Sequence, residues 1–119
     1  MARGKFAAVH DGPARRETCR PALDDDGWVR AARRIDSPNR DSRPKGTEVT
    51  LAVVHGISLP PGEFGGPGVI DLFTNRLDPA AHPYFTGIAA LRVSAHFLIR
   101  RRGELLQFVA CADRAWHAG

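Results

Sequence analysis

Apolar and polar positions change rhythm several times along this chain. Through about residue 26 no hydrophobic period emerges, and residues 1–26 read as a disordered, loosely attached extension. "GWVRAARRIDSPNRDSRP" then sets Trp28, Val29 and Ile35 among Ser, Pro, Asn and Asp, which sustain neither helix nor central strand; it reads as an irregular segment along a domain edge. Residues 49–54 form an unbroken apolar-leaning run, expected as a strand covered on both faces, with Leu51, Val53 and His55 to one side.

After that run "GISLPPGEFGGPG" forces a long loop, because Pro60 and Pro61 fix their own φ and remove two donors while the glycines permit unusual turns. "VIDLFTNRL" and "HPYFTGIAAL" space their apolar residues as short helices do, near 69–75 and 83–91, the second with Pro83 in its first turn. "RVSAHFLIRRRGELLQFVA" alternates as a β-hairpin. Val93, Ala95, Phe97 and Ile99 share a face, the turn falls at Arg101 to Gly103, and the returning strand runs from Leu105 to Val109. Strands and helices mixed in this way predict an α/β (α+β) domain.

Composition sharpens the class. At 119 residues, 43% hydrophobic and 25% charged, the chain has the size and make-up of one globular domain. Cys19 and Cys111 stand far apart without C-x-x-C spacing, so a reduced, cytoplasmic setting is expected rather than a disulfide framework. The N-terminus lacks the apolar core of a signal peptide, and no segment approaches the roughly 20 apolar residues of a membrane span, so no membrane partner is expected. The net charge of +4 sits mainly in the leading third. There "RRETCRPALDDDGW" mixes both signs and lacks a dense basic run interleaved with aromatics, so nucleic acid is not an expected partner either.

Three histidines draw attention as chemistry. Neutral imidazole is a common zinc ligand, and a catalytic zinc takes three protein ligands and keeps one position for water. His55, at the carboxyl end of a strand and just before a loop, stands where α/β sheets bind ligands. From spacing alone it is equally a strand-end histidine bonded to its own loop. His96, inside the hairpin strand opposite Phe97, reads as a satisfied sheet histidine. His117 reads as solvated, although an exposed Trp116–His117 pair also suits the wall of a sugar-sized cleft. Nothing in the spacing makes the three converge. Arg92 stands as a carboxylate anchor or as a plain surface arginine, Ser58 and Ser94 lack a nucleophile elbow, and "GEFGGPG" lacks the lysine and order of a phosphate loop.

Longer phrases are more specific. "SLPPGEFGGP", "LRVSAH" and "RAWHAG", within a stretch running from about Gly27 to Gly119, closely resemble the N-terminal half of the bacterial cytoplasmic zinc amidases that cleave 1,6-anhydro-N-acetylmuramyl-L-alanine. The resemblance implies the fold of T7-lysozyme-like amidases and peptidoglycan-recognition proteins, a central mixed sheet flanked by helices. It implies a zinc-dependent N-acetylmuramoyl-L-alanine amidase of peptidoglycan recycling and cell-wall turnover, with anhydromuropeptide as substrate. In that family zinc polarises the scissile carbonyl and activates water beside an acid/base group. Residue by residue, His55 matches the first zinc ligand, and Arg92 and Trp116 match residues lining the muropeptide cleft, whereas His96 and His117 are not family ligands.

The family's second zinc histidine, its aspartate ligand, its acid/base carboxylate and its lysine all follow the matched half. Residues 27–119 are therefore expected to be the N-terminal part of a truncated amidase domain with no catalytic residue of its own and one zinc ligand of three. Its expected role is that of an amidase by family, inactive alone, or of a non-catalytic muropeptide-binding remnant. The family's Asp-Gly turn is Arg102-Gly103 here, a change expected to weaken the hairpin.

Overall fold

A computed structural model describes residues 22–117. The order of elements is β1 (Arg33–Arg34), β2 (Arg40–Ser42), helix α1 (Gly68–Phe73), a 3-10 helix (Pro83–Gly87), β3 (Phe97–Ile99), β4 (Leu105–Gln107) and β5 (Asp113–Ala115). β4 lies centrally in a mixed sheet, parallel to β1 and antiparallel to β3, with Leu98 opposite Leu106. β2 and β5 form a separate antiparallel pair. The mixed sheet agrees with the expected fold class; the flanking helices amount, among the described residues, to one helix and one 3-10 turn.

The core lies between α1 and β4. Val69, Leu72 and Phe73 repeat at helical spacing on one face of α1 and pack with Leu59, Leu77, Phe85, Leu106, Phe108 and Val109. So short a helix gains little from propensity, and this packing holds it. It ends two residues before the expected limit because Asn75 takes a left-handed φ of 62°. The Asn75 N–H then donates to the Leu72 carbonyl at 3.2 Å and the Arg76 N–H to Asp71 at 2.7 Å, the bonding of a Schellman cap. The second expected helix closes as a 3-10 turn, with Pro83 in its first turn and His82 Nδ1 accepting the Tyr84 N–H. Its Thr86-Gly87-Ile88 sequence has low helix propensity, which accounts for the early stop.

The hairpin forms over a shorter length than expected, Phe97–Ile99 against Leu105–Gln107, while Val93 and Ala95 before it are irregular chain packed against the core. Leu98 and Leu106 turn inward while Ile99 is 65% exposed. Its connection is a turn over residues 100–103, with the Gly103 N–H donating to the Arg100 carbonyl and the Arg100 N–H to Glu104. Gly103 alone takes a positive φ, 92°. This is the three-residue loop whose last position needs glycine, so Arg102 occupies a place that most residues adopt and the expected weakening has no basis in the turn's geometry.

Of the segment expected to be a loose extension, residues 1–21 lie outside the described residues. Residues 22–30 form a turn closed by Asp24, whose Oδ1 accepts the Asp26 and Trp28 N–H groups, and a Leu23–Val29 bridge. Fully buried Gln107 ties this turn to the sheet: Oε1 accepts from the Val29 N–H at 2.7 Å, and Nε2 donates to the Gly27 carbonyl at 2.9 Å. Gly27, at φ 93°, lies so close to Cys111 and Ala112 that an added Cβ would stand 2.9 Å from their backbone nitrogens. Trp28 is buried beneath the Arg34 guanidinium, 3.7 Å above its ring.

The largest departure is residues 49–54, which are not a strand. Val49, Leu51, Val53 and Val54 are all well over half exposed. A strand exists only through a neighbour, and among the described residues no backbone hydrogen bond joins this run to another segment. Apolar character supplied the potential for a covered strand, but among the described residues no layer covers it.

Candidate functional site

Three segments meet where β5 ends. Beyond β5 the Trp116 N–H donates to the Asn39 carbonyl at 3.3 Å and to Ser94 Oγ at 3.1 Å, and the Trp116 carbonyl accepts the Ser94 N–H at 2.7 Å. Ser94 Oγ in turn donates to the Asn39 carbonyl at 2.6 Å. Asn39 anchors the junction. Its Nδ2 donates to the Val93 carbonyl and to Asn75 Oδ1, each at 2.8 Å, and its Oδ1 accepts from Asn75 Nδ2 at 3.0 Å. Ser37 Oγ donates to the Phe73 carbonyl at the end of α1. Ser37, Asn39 and Ser94 are almost wholly buried, and no buried side-chain polar atom among the described residues lacks a partner.

This junction fixes Trp116 and, one residue on, His117. His117 Nε2 lies 2.5 Å from His55 Nε2, with ring centroids 4.3 Å apart at 75°, and both side chains are exposed. Of the candidate site residues, the structure thus brings His55 next to Trp116's neighbour. Trp116 is 36% exposed. Arg92 is exposed as well, its Nη1 turned back onto the Ala90 and Leu91 carbonyls, and it hydrogen-bonds neither imidazole. His96 is committed elsewhere, its Nε2–H donating to the Asp113 carbonyl at 2.9 Å, with the Arg43 guanidinium 3.4 Å from the same nitrogen.

The proline-glycine loop does not rim this junction. With α1 and the 3-10 helix it lines a separate depression of about 410 Å³, between Leu59, Phe64, Asp71, Asp78 and His82. Cys111 is a free, half-buried thiol whose pKa burial pushes up, which keeps it protonated near neutral pH.

Electrostatics at the junction centre on Asp41, which faces Arg114 across the β2–β5 pair. Arg114 Nε and Nη2 donate to its two oxygens at 2.7 and 2.5 Å. These bonds, with a further one from Trp116, hold the Asp41 carboxyl below its ordinary 3.8. The Trp28 N–H does the same for Asp24, and Arg34 for Asp36. A carboxyl depressed in the folded chain favours folding above its unfolded value, and that contribution is lost as pH falls through the folded value. The urea midpoint is therefore expected to fall between about pH 5 and pH 3, and Asp36→Asn to flatten that fall. A midpoint level across the interval would contradict these pairings.

Sequence reasoning missed the meeting of His55 with His117. No local signal was available for it, because the Trp116 backbone that fixes His117 is held by Asn39 and Ser94, remote in the chain.

A family model described as N-acetylmuramoyl-L-alanine amidase matches residues 45–119, and the chain belongs to this amidase family. Within it, the chain is similar to the 1,6-anhydro-N-acetylmuramyl-L-alanine amidase AmpD. It is 62% identical to AmpD of Citrobacter freundii over 95 residues, 80% of this chain and 51% of that protein. With AmpD of Escherichia coli K12 it shares 61% over 93 residues, 78% and 51% of the two chains. The crystal structure of a selenomethionine AmpD derivative superposes with a TM-score of 0.78 at 61% identity, covering 82% of this chain and 55% of that one. The chain thus has the AmpD-like amidase fold and spans about half the length of the curated relatives it matches.

The family is zinc-dependent. Among the described residues no group of three or more His, Cys, Asp or Glu side chains could hold a metal ion. The described residues therefore do not make the three-ligand centre of a catalytic zinc. Nor, among the described residues, is any helix long and apolar enough to cross a membrane.

Proposed function

We propose that this chain is the N-terminal, substrate-facing part of a cytoplasmic zinc-dependent amidase of peptidoglycan recycling, acting on anhydromuropeptides. The observation that carries the reading is the family match over residues 45–119, which takes in His55, Arg92 and Trp116 together. In this reading His55 is a zinc ligand, Trp116 offers an apolar face to a sugar ring, and the Arg92 guanidinium pairs with a substrate carboxylate. The exposed Trp116 ring and the unpaired Arg92 guanidinium, free of any carboxylate among the described residues, support these roles.

Binding without turnover is the second reading for the 119 residues on their own, favoured by the lack, among the described residues, of a three-ligand group. The test incubates the chain with anhydromuropeptide and zinc chloride, follows released peptide by chromatography, and titrates binding by tryptophan fluorescence. Binding without peptide release is expected, with Trp116→Ala weakening it about tenfold. Zinc-dependent peptide release would overturn the second reading. Binding indifferent to both Trp116→Ala and Arg92→Ala would overturn the assigned cleft.

A further inference from the structure

The turn between β3 and β4 carries three consecutive arginines, and the amidase reading uses none of them. Arg100, Arg101 and Arg102 line a depression of about 440 Å³ together with Arg33 of β1, Glu104, and Phe64 and Gly65 of the proline-glycine loop. Four guanidiniums thus face one carboxylate. Glu104 meets Arg100 Nε at 3.3 Å and Arg33 Nη1 at 3.7 Å, which leaves Arg101 and Arg102 without a carboxylate among the described residues.

A run of like charges is ordinarily a solvated face whose long side chains spread into water. Here two of the three are held to the loop. Arg100 Nη1 donates to the Gly66 carbonyl at 3.1 Å, and the Arg101 guanidinium lies 3.8 Å from the centre of the Phe64 ring. These side chains are set before any ligand arrives, which lowers the ordering cost of binding. Gly65, at φ 91°, has open space where a Cβ would stand, and its N–H donates to no group among the described residues. Its backbone is a further donor at the rim.

A guanidinium gives parallel hydrogen bonds to a carboxylate or a phosphate. One carboxylate occupies one such fork, whereas a diphosphate places two adjacent groups and several negative charges within a few ångströms, as two uncompensated guanidiniums on one turn require. We propose that this depression binds the diphosphate group of a soluble ligand, with Arg101 and Arg102 as its main partners and Arg33 and Arg100 beside them. No further basic residue lines the depression, which suits a compact anion rather than a nucleic-acid strand. None of its lining residues belongs to the His55–Trp116 junction, so this site is independent of the proposed muropeptide cleft.

Calorimetric titration of the whole 119-residue chain with sodium pyrophosphate at constant ionic strength tests the site, alongside NMR of the backbone amides. Arg101→Gln and Arg102→Gln are each expected to weaken pyrophosphate about tenfold, while Arg76→Gln, an equal loss of charge outside the depression, leaves it unchanged. Inorganic phosphate should bind about tenfold more weakly than pyrophosphate. The Gly65 amide signal should move with pyrophosphate and that of Asn39 should not. No heat with pyrophosphate overturns the site, as does weakening by neither turn variant. Equal weakening by all three variants reduces the effect to overall charge and overturns it too. Phosphate binding as tightly as pyrophosphate overturns the diphosphate assignment. Binding to phosphatidylglycerol vesicles without binding of pyrophosphate gives the turn to a lipid surface and overturns a soluble ligand. Should either turn variant lose the parent's circular dichroism, the parent chain decides: a Gly65 amide unmoved by pyrophosphate overturns the site.

Discussion

Truncating Phe108 to alanine is expected to cost about 3–5 kcal/mol, the largest loss available from a single side chain in this fold. Phe108 is fully buried and meets Phe73 of α1 edge-on, with ring centroids 5.0 Å apart at 87°. The loss combines transfer of the ring to water, the cavity left behind, and an aromatic pair worth about 0.5–1.5 kcal/mol. Its backbone is tied on both sides, N–H to the His96 carbonyl and carbonyl to the Ser37 N–H, so little collapse can fill the space. Small domains carry only about 5–15 kcal/mol in total, so the variant should lose much of its cooperative urea transition. Phe108→Leu, which keeps most of the volume, should cost markedly less. A Phe108→Ala midpoint close to the parent's would show that the α1–β4 contact is not what holds the domain together.

Asn39→Ala is expected to do comparable damage by a different route. It strips the Val93 carbonyl and both polar ends of the Asn75 side chain of their partner. Each of these part-buried groups so orphaned costs up to about 1–3 kcal/mol. Asn75 also holds its left-handed conformation at the end of α1, so loss of the Asn39–Asn75 pair loosens the helix cap. Coupling separates this from simple loss of volume: Asn75→Gly keeps the backbone conformation and removes the same pair. The double variant should therefore cost less than the two single losses added, by about 0.5–3 kcal/mol. Strict additivity would dissolve the network. Because Trp116 hangs from the Asn39 carbonyl, Asn39→Ala should also weaken muropeptide binding without touching the ligand.

Elements bounded by strong local chemistry were readable in the sequence. Pro83 and the glycine at 103 mark turns that the structure places there, and α1 follows from the spacing of Val69, Leu72 and Phe73. What failed was whatever depends on a distant partner. Residues 49–54 have the composition of a covered strand, yet composition says nothing about whether a neighbouring strand lies beside them. Alternation placed Val93, Ala95, Phe97 and Ile99 on one face but could not say how far the strand would run; it forms only from Phe97, with Leu98 packed on the core and Ile99 outside. Gln107, Asn39 and Ser37 look like surface residues in the sequence and lie in the interior, because each replaces a missing backbone partner between irregular segments. Of the site, His55 was legible through its phrase, whereas its contact with His117 depends on the Asn39–Ser94–Trp116 junction, assembled from three remote stretches.

Residues 49–54 have no backbone partner among the described residues, and this bears on how the chain would respond to a ligand. His55 sits on a tether and His117 on a fixed post, 62 positions further along the chain. Anything gripping both acts as a clasp, closing a loop of that length and drawing the tether onto the domain. Its binding energy is then partly spent on ordering chain, so its affinity and the melting temperature of the protein rise and fall together with its concentration.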